Sequence, residues 1–164
     1  MKIKNKLNLG CGKDIRKGYF NVDFEKIKGI DLVYDLNKLP YPFKDNQFEE
    51  ILMYNILEHL NNPYSVMKEL HRVSKNNTII KILTPHFSSG YCWEDIQHKR
   101  GFAATTFEHE NLKNKFKVVK RKILFSKLRF FIKWFANKFP RIYDTNLAYI
   151  FPATDIYIEL RVIK

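Results

Sequence analysis

The chain has 164 residues, long enough to bury a real core, and we read 1–164 as a single domain. Its net charge of +12, from 29 Lys and Arg against 17 Asp and Glu, favours polyanionic partners such as nucleic acid, an anionic membrane surface or phosphorylated substrates. Lys, Asn and Ile are abundant throughout, so composition alone also yields a basic protein. Cys11 and Cys92 do not make a disulfide framework, which fits a reducing cytosol. No run of roughly eighteen uncharged apolar residues offers a membrane span. Met1-Lys2-Ile3-Lys4 leads straight into the first strand without a signal peptide, so the expected location is cytoplasmic.

Leu7-Asn8-Leu9-Gly10-Cys11-Gly12 reads as a short buried strand that ends in a glycine turn. Phe20-Asn21-Val22-Asp23 and Ile30 to Leu36 read as the next two strands, each carrying an acid near its carboxyl end. In open α/β sheets ligands sit beyond those ends, where an acid can hold a ribose. Lys13 to Tyr19 supply little more than a turn, although a parallel crossover usually needs about a dozen residues, so the first helix looks truncated. The residues before the first strand are too few for a cap helix, which implies an open ligand site. Leu36 to Phe48 reads as a loop, and Glu50 to Tyr54 as the fourth strand, with Asn55 at its carboxyl end. Asn62-Pro63 caps a helix whose Val66, Met67, Leu70 and Val73 face the sheet. Asn76-Asn77 tolerates left-handed dihedrals and so can close that helix.

Thr78 to Leu83 makes a fifth, β-branched strand, followed by a polar, aromatic-rich loop over 84–102. A short helix over Thr106–Lys115, a strand over Phe116–Phe125 and a helix over Lys127–Phe139, ended by Pro140, come next. Ala153 to Ile163 is the last strand, alternating Ile156, Ile158, Leu160 and Val162.

The ordered set Leu7–Gly12, Asn21-Val22-Asp23, Asp35-Leu36, Leu57-Glu58-His59-Leu60 and Glu69 to Lys75 resembles class I S-adenosylmethionine (AdoMet) methyltransferases. The likeness is best to the small bacterial and archaeal branch and covers roughly residues 6–85. It implies an α/β, Rossmann-like class I methyltransferase sheet, mostly parallel with an antiparallel last strand. It also implies AdoMet as cofactor and S-adenosylhomocysteine as product. By resemblance, Gly10, Cys11 and Gly12 line the turn under the methionine part of the cofactor. Asp23 takes the ribose hydroxyls, Asp35 with Leu36 the adenine, and Asn55 with Ile56 lie near the sulfonium. The family often has an acid where Asn8 stands, and Pro-Gly-Gly where Asn76-Asn77 stands.

Methyl transfer to a hydroxyl needs a base on the carboxyl-edge loops. His59 is the family-consistent candidate, with a backbone-bonding structural role as its alternative. His98 and His86 follow, and His98 ranks first of these two because Glu94 at i−4 would orient it on a helix. His86, Cys92, His98 and His109, with Glu94 and Asp95, show no CxxC or HxxxH spacing, so no metal is assigned. Lys99 and Arg100 suit a phosphate or carboxylate on the acceptor. On the last helix, Leu128, Phe131, Ile132, Phe135 and Phe139 form an apolar face read as core. Phe130 and Trp134 fall opposite it among lysines. That basic aromatic side suits peripheral contact with the inner membrane face or another polyanion; a lid or a homodimer contact is its alternative.

The resemblance points to methylation of a small molecule, a sugar or a lipid-linked glycan. A nucleic-acid methyltransferase is favoured by charge, but Asn55-Ile56-Leu57-Glu58 lacks the Asn/Asp-Pro-Pro-Tyr/Phe motif of many such enzymes. A non-catalytic AdoMet-binding or interaction module is the non-enzyme reading. A dehydrogenase would need a third glycine where Ile15 stands.

Overall fold

The computed structural model describes residues 4–164. Met1 to Ile3 and the side chain of Phe130, both used above, lie outside the described residues. Among the described residues seven strands form one sheet: β1 (Lys6–Leu9), β2 (Tyr19–Asp23), β3 (Leu32–Val33), β4 (Phe48–Tyr54), β5 (Ser74–Pro85), β6 (Phe116–Leu124) and β7 (Asp155–Val162). Their order is β3-β2-β1-β4-β5-β7-β6, and only β7 runs antiparallel to its neighbours. The chain therefore winds outward from β1 to β3 and returns to place β4 on the other side of β1. That reversal between β1 and β4 opens the crevice where such sheets bind ligands.

Residues 10–18 contain no helix. Two buried asparagines take its place. Asn8 donates to the Asp14 carbonyl and to Asn21 Oδ1, and Asn21 in turn accepts from the Arg16 amide and donates to the Arg16 carbonyl. Asn8, where the family often has an acid, is thus spent on holding the crossover closed.

The third strand is much shorter than the seven residues expected. The Asp31 carboxylate takes the Asn21 amide, and after one short ladder the chain turns away at Asp35, whose Oδ1 accepts from the Asn37 amide. An edge strand of two residues leaves little to pair with, which limits edge-to-edge association.

The helix α1 (Pro63–Val73) starts as expected, with Asn62 Oδ1 accepting from the Ser65 amide and Pro63 in the first turn. It buries Val66, Met67, Leu70 and Val73 against the sheet. Its end differs from expectation: Ser74 caps it, bonding to the Leu70 carbonyl, and β5 begins at once. Asn77 does adopt a left-handed φ of 65°, but inside the β5 run, where the pairing with β4 shifts register.

Short helices α2 (Tyr91–Glu94) and α3 (Glu110–Lys113) lie in the connection to β6. Between β6 and β7 come α4 (Phe130–Lys138), α5 (Pro140–Ile142) and a π turn over Tyr143–Leu147. Pro140 opens α5 rather than ending the structure, because its missing N–H costs nothing at a first helical position.

The inner face of α4 is Ile132 and Ala136, with Phe135 beside them; Leu128 is 87% exposed and Phe131 is 58% exposed. The apolar face expected there is narrower because Leu128 lies in a 3-10 turn ahead of the helix. Asn137 also fixes the rotation of α4, accepting from the Ile123 amide and donating to its carbonyl. In β7, Ile156, Ile158, Leu160 and Val162 are all fully buried, as the alternation requires.

Candidate active site

A cleft of about 820 Å³ opens at the carboxyl ends of β1, β2 and β4. Gly10, Gly12, Asp23, Asp35, Leu36, Asn55 and Ile56 all stand in its wall, joined by Phe24, Tyr34, His59 and Gln97. Gly10 has a φ of 62°, and a Cβ there would fall 2.4 Å from Ile56 Cγ1. The glycine is required by a neighbouring side chain as much as by the turn. Gly12, with a φ of 48°, would point a Cβ into open space, so its backbone is bare to a ligand. Asn55 takes a left-handed φ of 51° as the chain leaves β4.

Asp23 is buried, and its two oxygens are already oriented. Oδ2 accepts from the Gly12 amide at 2.7 Å, and Oδ1 accepts from the Glu25 amide at 3.1 Å. Each oxygen keeps a further lone pair for a hydroxyl donor. Asp35, by contrast, is exposed and makes only the local turn with Asn37.

Cys11 does not reach the cleft wall. It is buried behind the turn, its amide bonded to the Val22 carbonyl, and burial together with Asp23 pushes its thiol up to about 11. A side chain at the middle of a Gly-x-Gly turn faces the sheet when both glycines face the ligand.

The three candidate histidines separate. His86 is fully buried, with Nε2 3.0 Å from Asp144 Oδ1 and Nδ1 2.8 Å from Ser88 Oγ. Both nitrogens are occupied, so it works as a latch between the end of β5 and the π turn rather than as a base at the cleft. His59 lines the cleft in a 3-10 turn over Leu57–His59. Burial and the neighbouring His98 push it below the usual imidazole range.

His98 packs edge-on against His59, ring centroids 4.6 Å apart. Its orienting group is not Glu94, since α2 ends there and Asp95 turns extended. Instead His98 Nδ1 meets the Cys92 carbonyl at 3.0 Å, while Nε2 lies 4.0 Å from Glu58 Oε1 and 3.8 Å from Asp95 Oδ2. Glu58, which had no role in the sequence reading beyond its motif, is fully buried, and burial raises its carboxyl above the usual range. Lys99 and Arg100 turn to Asn61, bonding its side chain and its carbonyl. His109 lines a separate, mainly apolar cavity of about 510 Å³ beside α1.

The comparisons with known proteins agree with this geometry. Residues 14–82 match the model of a methyltransferase-domain family. A SAM-dependent methyltransferase from Archaeoglobus fulgidus shares the fold with a TM-score of 0.68 at 17% identity, over 98% of this chain and 86% of that one. The S-adenosylmethionine-dependent methyltransferase of Mesorhizobium loti gives 0.64 at 12%, over 96% and 90%. The cyclase SpnF gives 0.65 at 16%, over 96% and 74%. No curated protein matches the sequence. The fold is the Rossmann-like class I methyltransferase fold. The family match over residues 14–82 and the fold over the whole chain together support an AdoMet-dependent methyltransferase, with AdoMet as the cofactor.

Proposed function

We propose that this enzyme methylates an anionic, amphiphilic acceptor, a sugar of a lipid-linked glycan precursor or a related small molecule, in the cytoplasm at the inner membrane face. The observation that carries this reading is the position of the segment between β6 and β7. Leu124, Asp155 and Pro85 are in register at one end of the sheet, so residues 125–154 leave and rejoin at the same edge as the cofactor cleft. That segment exposes Leu128, Phe131, Trp134, Ile142, Tyr149 and Ile150 alongside Lys127, Lys133, Lys138 and Arg141. Lys138 sits over the Trp134 ring at 4.7 Å. Aromatics interleaved with cations suit a headgroup-level interface better than open water.

The residues present fit the cofactor. In this reading the bare backbone of Gly10 and Gly12 receives its methionine part, Asp23 accepts from the ribose hydroxyls, and Asp35 with Leu36 borders the adenine. Asn55 and Ile56 border the sulfonium. Bound AdoMet supplies an electrophilic methyl group. What the protein adds is alignment, exclusion of water and removal of the acceptor proton. His59, in the wall beyond Asn55 and with burial favouring its uncharged form, is the group available to take that proton.

The test is transfer of labelled methyl from AdoMet to isoprenoid-diphosphate-linked sugars, nucleotide sugars and RNA, with and without anionic vesicles. Labelling of the lipid-linked sugars, enhanced by the vesicles and reduced by Trp134→Ala, is expected. Labelling of RNA alone, with a steep fall as salt rises, would replace this reading by the nucleic-acid one.

A further inference from the structure

Beside the cofactor cleft lies a group of side chains whose bonding is incomplete. Glu58 Oε2 accepts from Thr84 Oγ1 at 3.0 Å, but Oε1, equally buried, has no hydrogen-bond partner. A buried carboxylate oxygen without a partner is costly and rare in native proteins. Around it stand the rings of His59 and His98. One ligating atom from each of Glu58, His59 and His98 lies within 4.8 Å of the others.

From this arrangement we propose that Glu58, His59 and His98 form a binding site for a divalent transition-metal ion of the Zn2+ type at the wall of the cofactor cleft.

Three features support the assignment. First, the donor set of two imidazoles and one carboxylate is the set that Zn2+, Mn2+, Fe2+ and Co2+ favour. Second, the surroundings already orient the donors as outer partners of a metal do. Nδ1 of His98 is held by the Cys92 carbonyl, and Thr84 fixes the Glu58 carboxylate. Third, the spacing is close to what an ion needs. Bonds of about 2.0–2.2 Å at a tetrahedral ion set ligands about 3.3–3.6 Å apart, so closure of about an ångström forms the site.

The ion also supplies the positive charge that the buried Glu58 carboxylate lacks. Asp95 at the rim, 3.8 Å from His98 Nε2, is a further donor within reach. Three protein ligands leave a position for an oxygen donor, as in catalytic rather than closed structural sites. Since His59 belongs to the cleft wall, that position lies where an acceptor hydroxyl can occupy it and be acidified. The site stands on its own residues and does not depend on which acceptor the enzyme uses; with an ion bound, His59 serves as its ligand in place of the base role, and the acidified hydroxyl loses its proton to water.

The experiment uses the full chain, stripped with EDTA and dialysed, then titrated with Co2+ and with Zn2+. Visible Co2+ absorption and metal content report binding, while calorimetry with AdoMet on the same samples reports the fold. One equivalent of metal is expected for the wild type. His98→Ala and His59→Ala are each expected to weaken binding at least tenfold, and His109→Ala to leave it unchanged. Glu58→Gln keeps the acceptor for Thr84 and should likewise lose the metal while remaining folded by circular dichroism. If stripped wild type that binds AdoMet takes up no Co2+ or Zn2+, or if His98→Ala and His59→Ala bind as tightly as wild type, the site is not there.

Discussion

The two wings of the sheet are held by different forces. On one side of the β1/β4 crevice, β1, β2 and β3 have four, five and two residues. On the other, β5, β7 and β6 have twelve, eight and nine. The long wing is an apolar construction, with Ile80, Ile82, Ile156, Ile158 and Leu160 fully buried. The short wing is stitched by side chain to backbone bonds from Asn8, Asn21, Asp23 and Asp31. Short strands bring glycines and carboxylates to the surface of a cleft, and polar stitching replaces the burial that length would have supplied. The ligand site is thereby built from the part of the sheet with least apolar support.

That contrast is breakable. Ile158→Ala, in the long wing, should cost about 2–5 kcal/mol in denaturant titrations without altering AdoMet affinity in the folded protein. An equal loss of affinity would mean that the wings are not separable. Gly10→Ala should cost about 1–3 kcal/mol from backbone strain alone and drive the Ile56 side chain into the cleft, abolishing AdoMet binding. Retained binding in calorimetry would show that the turn is not part of the site.

Asp35→Ala is expected to weaken AdoMet only several-fold, about 0.5–1.5 kcal/mol, with no change in Tm, because its present bonds are local and exposed. The smallest effect concerns pH. The Tyr157 hydroxyl and Lys120 hold the Glu159 carboxyl below its usual range, so the unfolded chain binds that proton more readily than the folded one. Its stabilising contribution is complete above the ordinary Glu range and disappears as pH falls through the depressed value. Glu159→Gln should flatten the acid limb of the stability profile; an unchanged limb would exclude the group as a contributor.

Local signals made the short wing legible. The glycine turn, the acids at the ends of β2 and β3 and the Asn62-Pro63 cap are each decided within a few residues, and each is found where the pattern puts it. What escaped depends on distance or on competition. Glu58 and His98 are brought together by the loop after β5, and no spacing rule links residues so far apart. The helical i−4 pairing of Glu94 with His98 failed because α2 stops after one turn. The third strand is shorter than its pattern because the Asp31 side chain, not a strand carbonyl, takes the Asn21 amide, and only Leu32 and Val33 pair in the ladder. Cys11 was placed with its flanking glycines although alternate positions of such a turn face opposite ways. The exposed face of α4 was misjudged because Asn137, polar and unremarkable in pattern, sets the rotation of the helix.

The central claim is that the short wing holds AdoMet through a preoriented Asp23. Calorimetric titration of wild type and Asp23→Ala with AdoMet and S-adenosylhomocysteine tests it most directly. One equivalent of either ligand should bind the wild type, and Asp23→Ala should weaken both by about tenfold or more, since hydrogen bonds to a charged group contribute about 1.5–3 kcal/mol. Wild type that binds neither ligand, or a folded Asp23→Ala that binds both as tightly as wild type, would contradict it.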